Sequence, residues 1–361
     1  MSNHFYHLLA SWLPLKNEAN WVLGAVINTR GSVYRKAGAL MLLSDAGHQL
    51  GLLSGGCLES DLLLQARKVI ALGKSRQVVY DASDDGNIAW RLGIGCGGAA
   101  EIVLHPCNVE NNYLQLPDVF SCLQHSACNL ELNIARPRAS FTSCTRKFAQ
   151  RQSGKVEQKN NEQVLSTLIN PLPHLLVLGN GVDIIPLCQL AITLGWRVTL
   201  ADQRLNANKR AHFPTQINAL SVSADDLDDE LLQQIDGIVI AHHNVRLDAD
   251  AIAALQTRTM LNPYIGLLGP AHRKADVLAF ADLREEQLKY PIAGPMGLAL
   301  GGDLPESIAL SVLAECHARI FGSSALPLNL LATSSAQSIL NTTSITADTE
   351  ASYQLSAVAE I

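Results

Sequence analysis

The run Leu175-Leu176-Val177-Leu178-Gly179-Asn180-Gly181-Val182-Asp183-Ile184 organises the second half of the chain. An apolar segment entering Gly-x-Gly reads as a buried strand that turns sharply into a helix, predicted from about Asp183 to Leu194 and stopped by Gly195. A second strand, Trp196-Arg197-Val198-Thr199-Leu200, ends at Asp202. Gly237-Ile238-Val239-Ile240-Ala241 and Tyr264-Ile265-Gly266-Leu267-Leu268 follow as strands, with a helix around Ala249 to Leu255 between them. Strands alternating with helices at these lengths predict a doubly wound, Rossmann-type parallel sheet over residues 173–326. Its last helix is expected to start at Asp303-Leu304-Pro305-Glu306, a capping-box arrangement with proline in the first turn, and to run to about Ile320.

Towards the N-terminus the pattern changes. Trp21 to Ile27 and Ala39 to Leu43 are short apolar runs, and Asp45-Ala46-Gly47-His48 reads as a hairpin turn before Leu50. Leu58, Leu62, Ala66, Val69 and Leu72 form one helical stripe with Glu59 and Asp61 early, stopped by Gly73. The fold class is therefore α/β, an N-terminal α+β domain (1–107) followed by the Rossmann-type domain. Residues 108–172 read as a connection with some structure of its own. Residues 327–361, rich in Ser, Thr and Ala and without Lys or Arg, read as a tail that stays unfolded.

With 361 residues and a formal net charge of -6, the chain offers no overall basic field for nucleic acid or an anionic membrane. No apolar stretch has the length of a membrane span, and the eight cysteines are scattered, which points to free thiols in a reducing cytoplasm. Arg136, Arg138, Arg146, Lys147, Arg151, Lys155 and Lys159 form a local basic run. It reads as a solvated loop, and a scaffold protein docking through it is the alternative.

Two glycine-flanked cysteines carry the strongest chemical signal: Ser54-Gly55-Gly56-Cys57-Leu58-Glu59 and Gly95-Cys96-Gly97-Gly98. Glycines beside a sulfur let backbone amides and thiol approach one ligand. Cys57 falls at a helix N-terminus, where the dipole favours thiolate, the form that ligates metals and attacks sulfur. Gly95, Cys96, Gly97 and Gly98 make a loop suited to an anion-binding nest. A buried packing thiol and an incidental turn are the plain alternatives. Two thiols are too few for structural zinc; a soft metal with other ligands, or sulfur transfer, suits them better. In Gly31-Ser32-Val33-Tyr34-Arg35-Lys36-Ala37-Gly38-Ala39, Ser32 and Arg35 are candidates to hold a phosphate.

Gly179 and Gly181 are half of a dinucleotide fingerprint, and Asp202 is the residue type that bonds a ribose hydroxyl. Against NAD(P) stand Ile184 at the third fingerprint position and Asp183, a carboxylate where a pyrophosphate would lie and a natural cap for the helix. An NAD(P)-dependent oxidoreductase is thus the alternative and not the favoured reading. His242-His243-Asn244 follows a strand at its carboxyl end, where open α/β sheets bind ligands, and Asp248 is expected to cap the next helix.

Taken in order, Gly31-Ser32-x-x-Arg35-x-x-Gly38-Ala39-x-Met41, the Cys57 and Cys96 segments, Gly179-x-Gly181-x-Asp183-x-x-Pro186-Leu187, Leu194-Gly195-Trp196-x-Val198-Thr199, Tyr264 to Gly269 and Pro305-Glu306-x-Ile308-Ala309-Leu310-Ser311 resemble the XdhC/CoxI family. These are accessory factors of xanthine dehydrogenase and related molybdenum hydroxylases. The resemblance implies a chaperone more than a catalyst, one that binds molybdenum cofactor, assists its sulfuration and delivers it to an apo molybdenum hydroxylase. It implies Cys57 and Cys96 as ligands on the metal side and Arg35 in the phosphate loop. His243, with Asn244 and Asp248, matches a family segment in which His242 replaces the usual small polar residue. A cysteine desulfurase and a second copy of the chain are the further partners it allows.

Overall fold

The computed structural model describes residues 3–81, 98–144 and 154–331. Chain contacts separate a large unit, Met1–Phe321, from a second, Gly322–Ile361, in which Leu328–Leu331 forms a helical turn. Most of the expected unfolded tail lies outside the described residues.

The first sheet is antiparallel. It is built from β1 (Trp21–Arg30), β2 (Leu40–Ser44), β3 (Gln49–Leu50), β4 (Arg76–Asp81) and β5 (Ala99–Cys107), in the order β3-β2-β1-β5-β4. Both its faces are covered, which is why β1 reads as a continuous apolar run instead of an alternating one. Val22 and Val26 face Leu58, Leu62, Ala66 and Val69 of α2 (Glu59–Leu72). Trp21, Leu23, Ala25 and Ile27 face helices α1 (Phe5–Trp12) and α3 (Leu116–Cys122) and a second sheet. Leu62, fully buried, contributes about 2 kcal/mol. The hairpin at Asp45–His48 forms as expected, closed by the Ser44 N–H to the His48 carbonyl at 3.0 Å.

The connecting segment holds that second sheet, with strands β6 (Ala127–Asn133), β7 (Ala139–Cys144), β8 (Lys155–Lys159) and β9 (Glu162–Ile169) in the order β7-β6-β9-β8. The reading of the basic run as a solvated loop holds for Arg136 and Arg138, exposed between β6 and β7, and not for Lys155 and Lys159, which lie on β8. Its described bases sit on or between paired strands, where Arg136 and Arg138 reach Glu162 and Lys159 reaches Glu131. Cross-strand carboxylates thus offset the local charge. Arg146, Lys147 and Arg151 lie outside the described residues.

The third sheet is entirely parallel: β10 (His174–Leu178), β11 (Arg197–Ala201), β12 (Asn218–Leu220), β13 (Gly237–Ile240), β14 (Tyr264–Leu267) and β15 (Ile292–Ala293), ordered β12-β11-β10-β13-β14-β15. Helices α4 (Ile185–Thr193) and α7 (Pro305–Ile320) cover one face, and α5 (Val245–Thr257) and α6 (Ala271–Phe280) the other. This is the expected doubly wound domain. Three caps differ from expectation. Pro305 at the first helical position makes Leu304 the N-cap of α7, so Asp303 caps nothing. The helix α5 starts a turn early, capped by the Asn244 side chain, which puts Asp248 inside it. Asp183 sits within the turn Val182–Ile184 and does not cap α4.

Candidate functional site

The β1–β5 register pairs Arg30 with Ala99, and the β4–β5 register pairs Asp81 with the same residue. The loop after β1 and the segment entering β5 therefore share one end of the sheet. Gly98 has no room for a side chain, because a Cβ there would lie 2.1 Å from the Ser32 carbonyl oxygen and 2.8 Å from that of Arg30. Arg30 bridges to Asp81 at 2.9 Å across the same end. The far end of the loop is fastened to the second sheet, where Gly154 N–H donates to the Ala37 carbonyl at 2.8 Å and Gly38 meets Gly154 backbone to backbone. Between these fixings Ser32 is exposed and Arg35 half-buried. Gly95, Cys96 and Gly97 lie outside the described residues.

The Cys57 segment is held by its flanking residues. Ser54 and Glu59 are both buried. The Glu59 carboxylate accepts the Ser54 N–H at 3.0 Å, the Ser54 hydroxyl, and the Leu58 N–H at 3.1 Å. The Ser54 oxygen in turn accepts from Gly56 N–H (3.2 Å) and Leu58 N–H (3.1 Å). A buried carboxylate is tolerated here because several donors and the N-terminus of α2 surround it. Amides of Ser54, Gly56 and Leu58 are thus engaged inside the protein. What remains open is the outer side of the loop. Gly55 and Gly56 are exposed, nothing stands within 4 Å of where a Gly56 Cβ would be, and only the Tyr34 ring, at 3.8 Å, approaches that of Gly55. Cys57 is half-buried against the core under α2. One helical turn on, Asp61 accepts from the Tyr80 hydroxyl at 2.6 Å, tying α2 to β4.

The structure brings Gly98 against the Ser32 loop and the Tyr34 ring against Gly55, so the loop after β1 and the cysteine loop adjoin there. Ser54 and Glu59 anchor the backbone on either side of Cys57. Nothing in periodicity singles out Tyr34. The spacing of Ser54 and Glu59 about a helix start was the available signal for the other two, since a hydroxyl followed by a first-turn carboxylate is a capping pattern. Among the described residues no group of three or more His, Cys, Asp or Glu is placed to hold a metal ion.

Gly179, Gly181, Asp202 and His243 lie at the carboxyl edge of the parallel sheet, and each has a partner within the protein. A Cβ on Gly179 would lie 2.3 Å from the Ala241 carbonyl oxygen, and one on Gly181 would lie 2.3 Å from Asp183 Oδ1. Backbone packing requires the glycine at 179, whereas at 181 the neighbour is the Asp183 side chain. Asp183 Oδ2 accepts from His243 Nε2 at 2.8 Å, with His243 in the left-handed region at φ 54°. Asp202 is buried and gripped by Arg204 through Nε (3.0 Å) and Nη2 (2.6 Å). Burial alone would raise the Asp202 carboxyl, but these bonds hold it below the ordinary carboxylate range. Asp248, fully buried, accepts from His242 Nδ1 at 3.0 Å and from Arg273, and is likewise held low against its desolvation. His242 also borders a cavity of about 240 Å³ with Gln203, Ser223 and Asp250.

Comparison with known proteins agrees with this architecture. Residues 175–316 match the description "XdhC Rossmann domain", and residues 15–81 match "XdhC and CoxI family". The chain is 29% identical over 337 residues to a probable xanthine dehydrogenase subunit from Bacillus subtilis, covering 86% of this chain and 96% of that protein. A crystal structure described as a xanthine dehydrogenase from Bacillus halodurans superposes with a TM-score of 0.70 at 26% identity, covering 92% of this chain and all of that one. "Molybdenum cofactor insertion chaperone PaoD" of Escherichia coli is 30% identical over 84 residues, which is 23% of this chain and 26% of that protein. With both halves matched in order and on the expected folds, the chain belongs to the XdhC and CoxI family.

Proposed function

We propose that this protein is an accessory factor that carries molybdenum cofactor to an apo molybdenum hydroxylase of the xanthine dehydrogenase type. The observation behind this reading is the half-buried Cys57 thiol beside open space over Gly55 and Gly56, with the Arg35 loop adjoining it through Tyr34. The cargo presents a soft metal bound by sulfur and a terminal phosphate. A thiolate suits the first and a guanidinium the second. The donor set fits such a cargo: Cys57 and Cys96 take the metal end, and Ser32 and Arg35 take the phosphate. An incomplete set of protein ligands suits a carrier, which must release what it binds. Protection of the cofactor during sulfuration by a cysteine desulfurase belongs to the same reading. So does a homodimer that encloses the exposed loop. Similarity to the insertion chaperone over 84 residues supports the role.

The test is molybdenum and pterin content after anaerobic purification from cells that make the cofactor. Wild type is expected to retain both, and the Cys57→Ala, Cys96→Ala double variant to lose them. Equal content in the two proteins would remove the cysteines from the site. The rival NAD(P) reading is weakened by the Arg204 grip on Asp202 and by the Asp183 carboxylate at the phosphate position. Calorimetry with NADH separates the two, since tight binding that Asp202→Ala weakens would restore it.

A further inference from the structure

A cleft of about 530 Å³ opens between α1 and the amino-terminal edge of the parallel sheet, the edge opposite the one where such sheets usually bind ligands. Tyr6 comes from α1, while Trp196, Arg197, Gln216 and Gln234 come from the segments that lead into or flank the starts of β11, β12 and β13. Its volume is that of a small-molecule site, which runs from about 300 to 1,000 Å³. No Asp or Glu lines it, in a protein whose net charge is -6.

Arg197 gives the cleft its chemistry. Its Nη1 donates to Gln234 Oε1 at 3.3 Å, while Nε is buried and has no hydrogen-bond partner. Burial pulls the guanidinium below its ordinary range, opposed by the fields of Tyr6 and Asp236. Asp236 uses its Oδ2 on the His174 backbone N–H at 2.9 Å. With Nη1 engaged by Gln234 and Nε closed to solvent, Nη2 is the part of the guanidinium left to an anion in the cleft. At the end of α4, His7 Nε2 bonds the Gly195 carbonyl at 2.9 Å, so that acceptor does not face an incoming anion. Trp196, which stacks on His317 on one side, and Tyr6 are the aromatic residues of the lining.

We infer that this cleft binds a small organic anion, a carboxylate on an aromatic body, with Arg197 as its anchor. The site is separate from the cysteine loop, and the inference stands independently of the cofactor reading.

The test is calorimetric titration of the full chain with 2-naphthoate, alongside neutral 2-naphthamide and inorganic phosphate. Saturable binding of 2-naphthoate at sub-millimolar concentration is expected, weakened at least about tenfold, or about 1.4 kcal/mol, by Arg197→Gln. The amide and free phosphate should each bind at least about tenfold more weakly than the carboxylate. Leu231→Trp, which fills the cleft and leaves the guanidinium in place, should weaken binding as well. Tryptophan emission should change at saturation in wild type and not in Trp196→Phe. Absence of saturable binding to wild type, or unchanged affinity in both folded cleft variants, overturns the proposal. Phosphate binding as tight as 2-naphthoate overturns the aromatic-carboxylate assignment.

Discussion

Gly98 and Ser32 approach so closely that the position of a Gly98 Cβ falls 2.1 Å from the Ser32 carbonyl oxygen. Two motifs more than sixty residues apart in sequence are thereby locked at one end of a sheet. A methyl group cannot enter without moving backbone. Gly98→Ala is expected to lower stability by about 1–3 kcal/mol and to displace the Ser32–Arg35 loop. Urea unfolding measures the first. Loss of retained molybdenum in the still-folded variant, at low temperature, measures the second.

Glu59 acts as the anchor of the cysteine loop. In Glu59→Gln the side chain keeps one acceptor oxygen but sets an NH2 group against the Ser54 and Leu58 amides, which can only donate. The expected cost is about 2 kcal/mol. Alkylation of Cys57 by iodoacetamide should accelerate several-fold, followed by mass spectrometry of the tryptic peptide. An unchanged rate would mean that the loop holds its shape without the carboxylate.

Asp248 joins His242 and Arg273 at full burial. Asp248→Ala leaves Arg273, itself little exposed, as an uncompensated cation. A loss of about 3–5 kcal/mol is expected. Because the folded carboxyl is held low, the stability it contributes is present above the ordinary carboxylate value of 3.8 and lost as pH falls through the folded value. Denaturant unfolding of wild type and variant should therefore converge only in strong acid.

His105, fully buried with Nδ1 2.7 Å from the Ser75 hydroxyl, is lowered by desolvation from 6.5 to about 4. The unfolded chain takes up a proton below 6.5 and the folded one does not. Stability is complete above that pH and falls on acidification towards pH 4, by about 1.4 kcal/mol per unit. His105→Gln should flatten this part of the pH–stability curve. An unaltered slope would assign the acid sensitivity elsewhere.

Much of the fold was legible because it is encoded locally. The strand-turn-helix at Leu175–Thr193, the Asp45–His48 hairpin and the α2 stripe ending at Gly73 depend on period and punctuation within a few residues. The caps were misread where a neighbour outweighed a side chain. Pro305 set the start of α7, and Asn244 capped α5 a turn before Asp248. The basic run was misread at Lys155 and Lys159, because charge composition does not reveal that they lie on a strand paired with β9.

For the candidate site the division is similar. Composition and spacing alone pointed to Cys57 and its glycines as candidates, because chemistry that needs a thiol beside bare backbone must be written in residue types. The sequence by itself also determined the parallel sheet of the second half, since alternation of strand and helix is a property of neighbours in the chain. Only the tertiary structure decided that Gly98 wedges the Ser32 loop, that Tyr34 stands over Gly55, and that Glu59 engages the loop amides. It likewise paired Asp183 with His243 and Asp202 with Arg204. Strand order and close backbone approach set these pairings, and both arise from packing between residues tens of positions apart, where sequence spacing carries no distance.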